Sequence, residues 1–166
     1  MGEAGRGPIT LQPLFDSYLE RLQNLHADIR HAIEGLPVEA LDWSPGHEMN
    51  SLAVLATHTA GAERYWIGDV IARNDSHRDR AAEFRARAID SATLLERLDA
   101  VLASSHRVLE GLTLSDLETT RIVPRDGSEV TVAWALLHTL EHTAIHLGHM
   151  QLVRQLWEQR QKELEK

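Results

Sequence analysis

Apolar residues recur at helical spacing along most of this chain, and Gly and Pro punctuate the pattern into four long segments. The first runs from about Leu11 to Ile33, with Leu14, Tyr18, Leu22, Leu25, Ile29 and Ile33 on one stripe. Pro13 is tolerated there because it falls in the first turn. Gly35 and Pro37 stop the helix, and LPVEALDWSPGHEMN reads as a connection. Asn50 or Ser51 offers an N-cap for a second helix that reaches about Ala72. Charge dominates residues 74–87, a solvated connection with at most a helical turn near Phe84. A third stripe holds Leu94, Leu95, Leu98, Val101, Leu102 and Val108, from about Ser91 to Leu109, and Gly111 closes it. In ETTRIVPRDGSEVTV the Asp126-Gly127 turn pair sits among β-branched residues, so a short hairpin-like excursion fits there. Thr131 can cap a last helix that runs to about Gln159. The pattern predicts an all-α four-helix bundle in one domain spanning 1–166, with 1–9 and 160–166 as frayed tails.

Composition narrows the chemistry. Seventeen basic residues against 25 acidic ones give a net charge of −8, which disfavours nucleic acid as a partner. No cysteine is present, so disulfides, thiolate metal sites and a chain thiol nucleophile are excluded. Any metal must be held by imidazole, carboxylate or water. The opening MGEAGRGPIT has no apolar run of the signal-peptide kind. No stretch approaches the roughly 18 apolar residues that a spanning helix needs. A cytoplasmic protein without a membrane partner is the expectation.

The chemistry concentrates in HTLEHTAIHLGHM, residues 138–150, which holds four of the ten histidines. At about 100° per residue, with His138 at zero, His149, His142 and His146 fall near 20°, 40° and 80°. All four share one sector, and Trp134, Ile145, Val153 and Leu156 on or beside it mark that face as inward. Imidazoles at i and i+4 can converge on one ion at about 2.0–2.1 Å. A third ligand must come from another helix, and His58 is the best candidate. It shares an apolar stripe with Val54, Leu55, Tyr65 and Trp66, while Gly61 and Ala62 leave room beside it. Three histidines with open positions are the pattern of a catalytic metal site; a buried histidine bonded to a backbone carbonyl is the plainer alternative for His58 alone. His138 and His149 then line the pocket or bond to the ligand histidines.

Other comparisons fail. His142-Thr143-Ala144-Ile145-His146 has Thr where a metalloprotease H-E-x-x-H helix carries its Glu base. No E-x-x-H pair of the di-iron carboxylate kind occurs. His26, His31, His47, His77 and His106 have no partner pattern and read as surface residues. Tyr65 and Trp66 read as core, or alternatively as pocket lining. Arg78, Arg80, Arg85 and Arg87 read as a solvated face, with a clamp for an anionic substrate as the alternative.

Over about Leu14 to Leu156 the chain resembles the DinB-like superfamily, which includes thiol-dependent S-transferases and mycothiol-dependent maleylpyruvate isomerases. The resemblance rests on LDWSPG…NSLAVLATHTAGAERYW and on LLHTLEHTAIHLGHM. It implies a four-helix bundle, often dimeric, in which the positions of His58, His142 and His146 bind a divalent metal, commonly zinc or nickel. The family often continues its last motif as H-R-G-Q, whereas this chain reads His146-Leu147-Gly148-His149. His149 could thus add an imidazole near the metal, and no arginine stands in the family's place.

The resulting expectation is a metal-dependent enzyme that activates a low-molecular-weight thiol against a small electrophilic substrate, working as a homodimer. Hydrolysis by metal-activated water on the same site is a rival enzyme reading. A non-catalytic, stress-related metal-binding module is the non-enzymatic one.

Overall fold

The first apolar stripe folds as helix α1 (Pro13–Ile33), which buries Phe15, Tyr18, Leu22, Ile29 and Ile33. Leu14 points outward instead, and Phe15 takes its place in the core. The computed structural model describes residues 13–166, so the expected start at Leu11 and the tail 1–9 lie outside the described residues. Gly35, with φ +72°, turns the chain out of α1 through a backbone region that side chains disfavour. The stretch read as a connection contains one short helix, α2 (Val38–Asp42).

Helix α3 (Leu52–Glu63) starts at Ser51, whose hydroxyl accepts from the Val54 amide at 3.3 Å. The axis then continues to Ile71, but residues Arg64–Ile71 are wound as a π-helix, and the Ala72 amide reaches the Ile67 carbonyl five residues back. Every residue from Tyr65 to Ile71 is buried along this wider winding. The charged connection carries α4 (Arg80–Glu83), capped by the Asp79 carboxylate. Helix α5 (Ser91–Glu110) is capped by Asp90. A 3-10 turn (Leu114–Glu118) leads into strands β1 (Thr120–Ile122) and β2 (Glu129–Thr131), an antiparallel hairpin pairing Arg121 with Val130. Gly127 at φ +73° makes its turn, and Asp126 accepts from the Ser128 amide and hydroxyl. Helix α6 (Val132–Leu164) begins at the Thr131 cap and continues past the expected end near Gln159.

Helices α1 and α3 each pack against both α5 and α6, closing a four-helix bundle. The inward face of α6 is Ala135, Leu136, Thr139, Thr143, Leu147, Met150, Val153 and Trp157. This corrects the expected face: Trp134 and Ile145 are about half exposed (46% and 52%). On the same wheel the buried residues centre near 110°, so the histidines lie at the border of the core.

The interior holds two apolar clusters. One gathers Ile29, Ile33, Leu52, Leu55, Leu94, Leu98, Leu147 and Met150. The other gathers Phe15, Leu22, Tyr65, Ile67, Leu109, Val132 and Leu136. Along each long helix a buried polar residue separates the two sets: His26 on α1, Glu63 on α3, Ser105 on α5, and Thr139 and Thr143 on α6. Glu63 accepts from the Ser105 hydroxyl at 2.7 Å and pairs with His26 Nε2 at 2.6 Å, which gives its carboxylate partners in place of water. His26, expected at the surface, is therefore a core residue.

Candidate metal centre

At the border of α3 and α6 three imidazoles meet. His58 Nε2 and His142 Nε2 are 3.2 Å apart, and His146 Nε2 is also 3.2 Å from His142 Nε2. His58, His142 and His146 together form a group whose ligating atoms all lie within 4.8 Å of one another. Three nitrogens at about 2.0–2.1 Å from a tetrahedral ion would stand about 3.3–3.4 Å apart, so two of these spacings fit such an ion closely. The i, i+4 spacing on α6 supplies two of the rings, and His58 is brought in by the packing of α3 against α6.

The protonation states also fit. Burial, then the charge that the neighbouring imidazoles would carry, pushes His142 down to about 3 and His146 to about 4. Both rings are therefore neutral at pH 7, the form that ligates a cation. For His58 the tautomer follows from its neighbour. Its Nδ1 lies 2.8 Å from Glu83 Oε2, and an ionised carboxylate only accepts, so Nδ1 carries the proton and Nε2 presents its lone pair inward.

Glu83 is the functional residue that sequence reasoning missed. It sits on α4, is buried, and is gripped by Arg78 through Nε at 2.6 Å and a second guanidinium nitrogen at 2.8 Å. Burial tends to raise the Glu83 pKa, but the bonds from Arg78 and His58 outweigh it and hold the carboxyl below its ordinary value. Gly61, one turn after His58, makes the approach possible: a Cβ there would stand 2.1 Å from Glu83 Oε1. The available signal was Gly61 on the same face as His58, which asks what comes so close. Arg78, read as part of a solvated face, is instead only 12% exposed in its side chain and lies over the Tyr65 ring at 5.3 Å. Arg85 and Arg87 are exposed, as expected.

The remaining expected residues form the walls. His138 is stacked on Trp134 (centroids 4.8 Å, 12° between planes) and meets the edge of Trp66 at 4.9 Å. Its ring is 5.8 Å from that of His142. Burial is the main cause of a lowered His138 pKa, with Glu141 opposing it and Arg125 adding to it. His149 is exposed and its ring lies 5.6 Å from His146. Neither His138 nor His149 hydrogen-bonds a member of the triad, so both are neighbours of the centre and not its supports. Phe84 covers the face of His58 at 4.6 Å, and Tyr65 packs edge-on to Trp66 at 5.4 Å. His31, His47 and His77 are exposed and His106 is half-buried, all away from the triad.

The four-helix bundle is the fold of the DinB-like proteins. The chain belongs to the mycothiol-S-transferase family, whose model matches residues 18–159. Solved structures agree on the fold. A conserved protein from Enterococcus faecalis is 16% identical with a TM-score of 0.70, covering 87% of this chain and 97% of its own. YfiT from Bacillus subtilis, described as a probable metal-dependent hydrolase with an unusual four-helix bundle topology, is 15% identical with a TM-score of 0.70, covering 90% and 91%. A DinB-like protein from Bacillus cereus is 15% identical with a TM-score of 0.70, covering 85% and 91%. No curated protein matches the chain. Among the described residues no helix is long and apolar enough to cross a membrane.

Proposed function

We propose that this protein is a thiol S-transferase dependent on a divalent metal held by His58, His142 and His146, and that mycothiol or a similar low-molecular-weight thiol is its sulfur donor. The observation that carries the metal site is the convergence of three Nε2 atoms, one of them oriented by Glu83. The family match carries the thiol reading. A bound zinc or nickel ion would favour the thiolate form of such a thiol near neutral pH and so sharpen it as a nucleophile. The chain has no cysteine, so the sulfur must come from the diffusible thiol. Glu83 keeps the His58 proton on Nδ1, and Arg78 keeps Glu83 ionised. Phe84 covers His58, and Trp66 and Trp134 pack on the neighbouring His138, so aromatic surface beside the triad suits a small electrophile. The same reading takes the protein as a homodimer, as the resemblance implies, and as cytoplasmic.

Hydrolysis is the second reading. His138 favours it, because its imidazole stands 5.8 Å from that of His142, beside the triad, where a neutral ring can accept a proton from water. The description of YfiT points the same way.

The test is metal content followed by turnover. Protein purified without immobilised-metal chromatography is expected to hold about one divalent ion per chain, lost in His58→Ala and His142→Ala. The loaded protein should conjugate mycothiol to a model electrophile. Unchanged metal content in both variants would end the triad proposal. A metal-loaded protein inactive with every thiol but active on an ester or amide would favour hydrolysis, and inactivity on all of them a binding module.

A further inference from the structure

We propose that a second subsite beside the metal centre binds a carboxylate carried by one of the two reactants. The proposal rests on the transferase reading for its physiological meaning, though not for its binding test. A cavity of about 520 Å³ opens between the 74–80 connection and the hairpin turn, with Tyr65, Arg78, Arg80 and Arg125 among its walls. That volume suits a small-molecule site. Two of its walls belong to the metal centre as well: Arg78 holds Glu83, and Tyr65 lies beneath Arg78. Arg80 lies over Phe84 at 4.8 Å, and Phe84 in turn covers His58.

The polar groups that face this cavity divide unevenly between used and unused. Asp69 is committed to the loop itself, for its two oxygens accept from the Ser76 amide and hydroxyl, whereas the exposed Asp75 engages only one oxygen, on the His77 amide and ring. Arg78 is spent on Glu83. Arg125 uses its head only on its sequence neighbour Asp126, at an exposed position. Arg80 has no carboxylate or hydrogen-bond partner among the described residues, and its one specific neighbour is the Phe84 ring. The Tyr65 hydroxyl accepts from the Arg125 amide at 3.0 Å, while its own proton has no acceptor among the described residues. Against one free oxygen of Asp75 and the Asn74 amide, the cavity sets three unpaired donors: the Arg80 guanidinium, part of the Arg125 guanidinium and the Tyr65 O–H. Such a set selects an anionic oxygen ligand, and the planar guanidinium fork fits a carboxylate. Arg80 holds that anion by charge, and the Tyr65 O–H fixes its direction.

Calorimetric titration with succinate tests the subsite, on zinc-loaded and on metal-free protein. Saturable binding is expected in both, weakened about ten-fold by Arg80→Gln, the scale of one lost charge-assisted contact. Arg80→Lys should keep part of it. Arg85→Gln, an exposed arginine outside the cavity, should keep all of it. Absence of saturable binding, indifference to Arg80→Gln, or binding that vanishes with the metal would each overturn the proposal. Transfer assays then assign the source. An electrophile bearing a carboxylate is compared with its amide at fixed thiol, and mercaptosuccinate with 2-mercaptoethanol at fixed electrophile. The reactant whose KM rises in Arg80→Gln only when it bears a carboxylate is the one seated there. A KM indifferent to the carboxylate on both reactants would reject the subsite's part in turnover. Succinate binding that passes every control in a protein with no transferase activity would leave the subsite standing and remove the transferase reading.

Discussion

Replacing Gly61 by Ala probes the support of the metal centre without touching a ligand. The added Cβ would stand 2.1 Å from Glu83 Oε1 and 2.6 Å from its Cδ. Ordinary carbon–oxygen contact needs more than 3 Å, so the carboxylate must retreat by about 1 Å. Its bonds to His58 and Arg78, now 2.8 and 2.6 Å, would then open to about 3.6–3.8 Å and cease to be hydrogen bonds. Loss of an outer partner of a metal-bound histidine weakens metal binding by about 10–100-fold, or about 1.4–2.8 kcal/mol. The fold should suffer too. Ala in a helix interior gains up to about 1 kcal/mol over Gly, but each charge-assisted bond lost removes about 1.5–3 kcal/mol. Gly148→Ala supplies the contrast, since a Cβ there meets nothing within 4 Å. It should stabilise by about 0.5–1 kcal/mol. Zinc affinity is read by competition with a chromogenic chelator and stability by thermal unfolding of metal-free protein. If Gly61→Ala binds zinc as tightly as the parent and melts higher, as Gly148→Ala should, Glu83 does not support the site and the reasoning fails.

Two further predictions concern the interior and pH. Glu63→Ala strips His26 and Ser105 of their buried partner and should destabilise by about 3–5 kcal/mol in urea unfolding. The His26→Leu/Glu63→Leu double variant should recover most of this, and a single variant with near-parental stability would show that the buried pair does not hold the waist together. Metal-free protein should lose stability as pH falls. His142 and His146 bind no proton in the folded state until about pH 3 and 4, whereas their unfolded forms protonate below the ordinary 6.5. The unfolded chain therefore binds more protons throughout that window. Glu83 adds to the loss below 4.5, its ordinary value, because its folded pKa lies lower. Midpoints of thermal unfolding across pH 7.5 to 4 should decline from about 6.5 downward, less steeply in His142→Gln; a flat profile between 7 and 5 would contradict the assignment.

The helices were legible because burial on one side imposes a 3.6-residue period that needs no partner to be seen. The triad was legible for the same reason: His142 and His146 are one turn apart, and His58 interrupts an apolar stripe. The π-helix was not, since wider winding leaves the same residues in the same order. The face of α6 was misjudged because Trp134 and Ile145 look like core residues, yet lie at the rim where an aromatic wall and open surface meet. Glu83 and Arg78 were hidden by their surroundings, as a run of charges offers no hint of which pair the fold will bury. His26 was misplaced because its partner, Glu63, lies on another helix 37 positions away.

The polar layer at the waist of the bundle has a consequence for how this scaffold can change. With an apolar body on either side of that seam, a volume change in one, such as Leu98→Ala, is relieved among its own neighbours before it reaches the aromatic wall around Trp66. Conversely, reshaping that wall for a different reactant leaves the opposite body to keep the protein folded. Divided in this way, the molecule behaves as two modules sharing four struts, one free to drift in sequence while the other acquires new specificity.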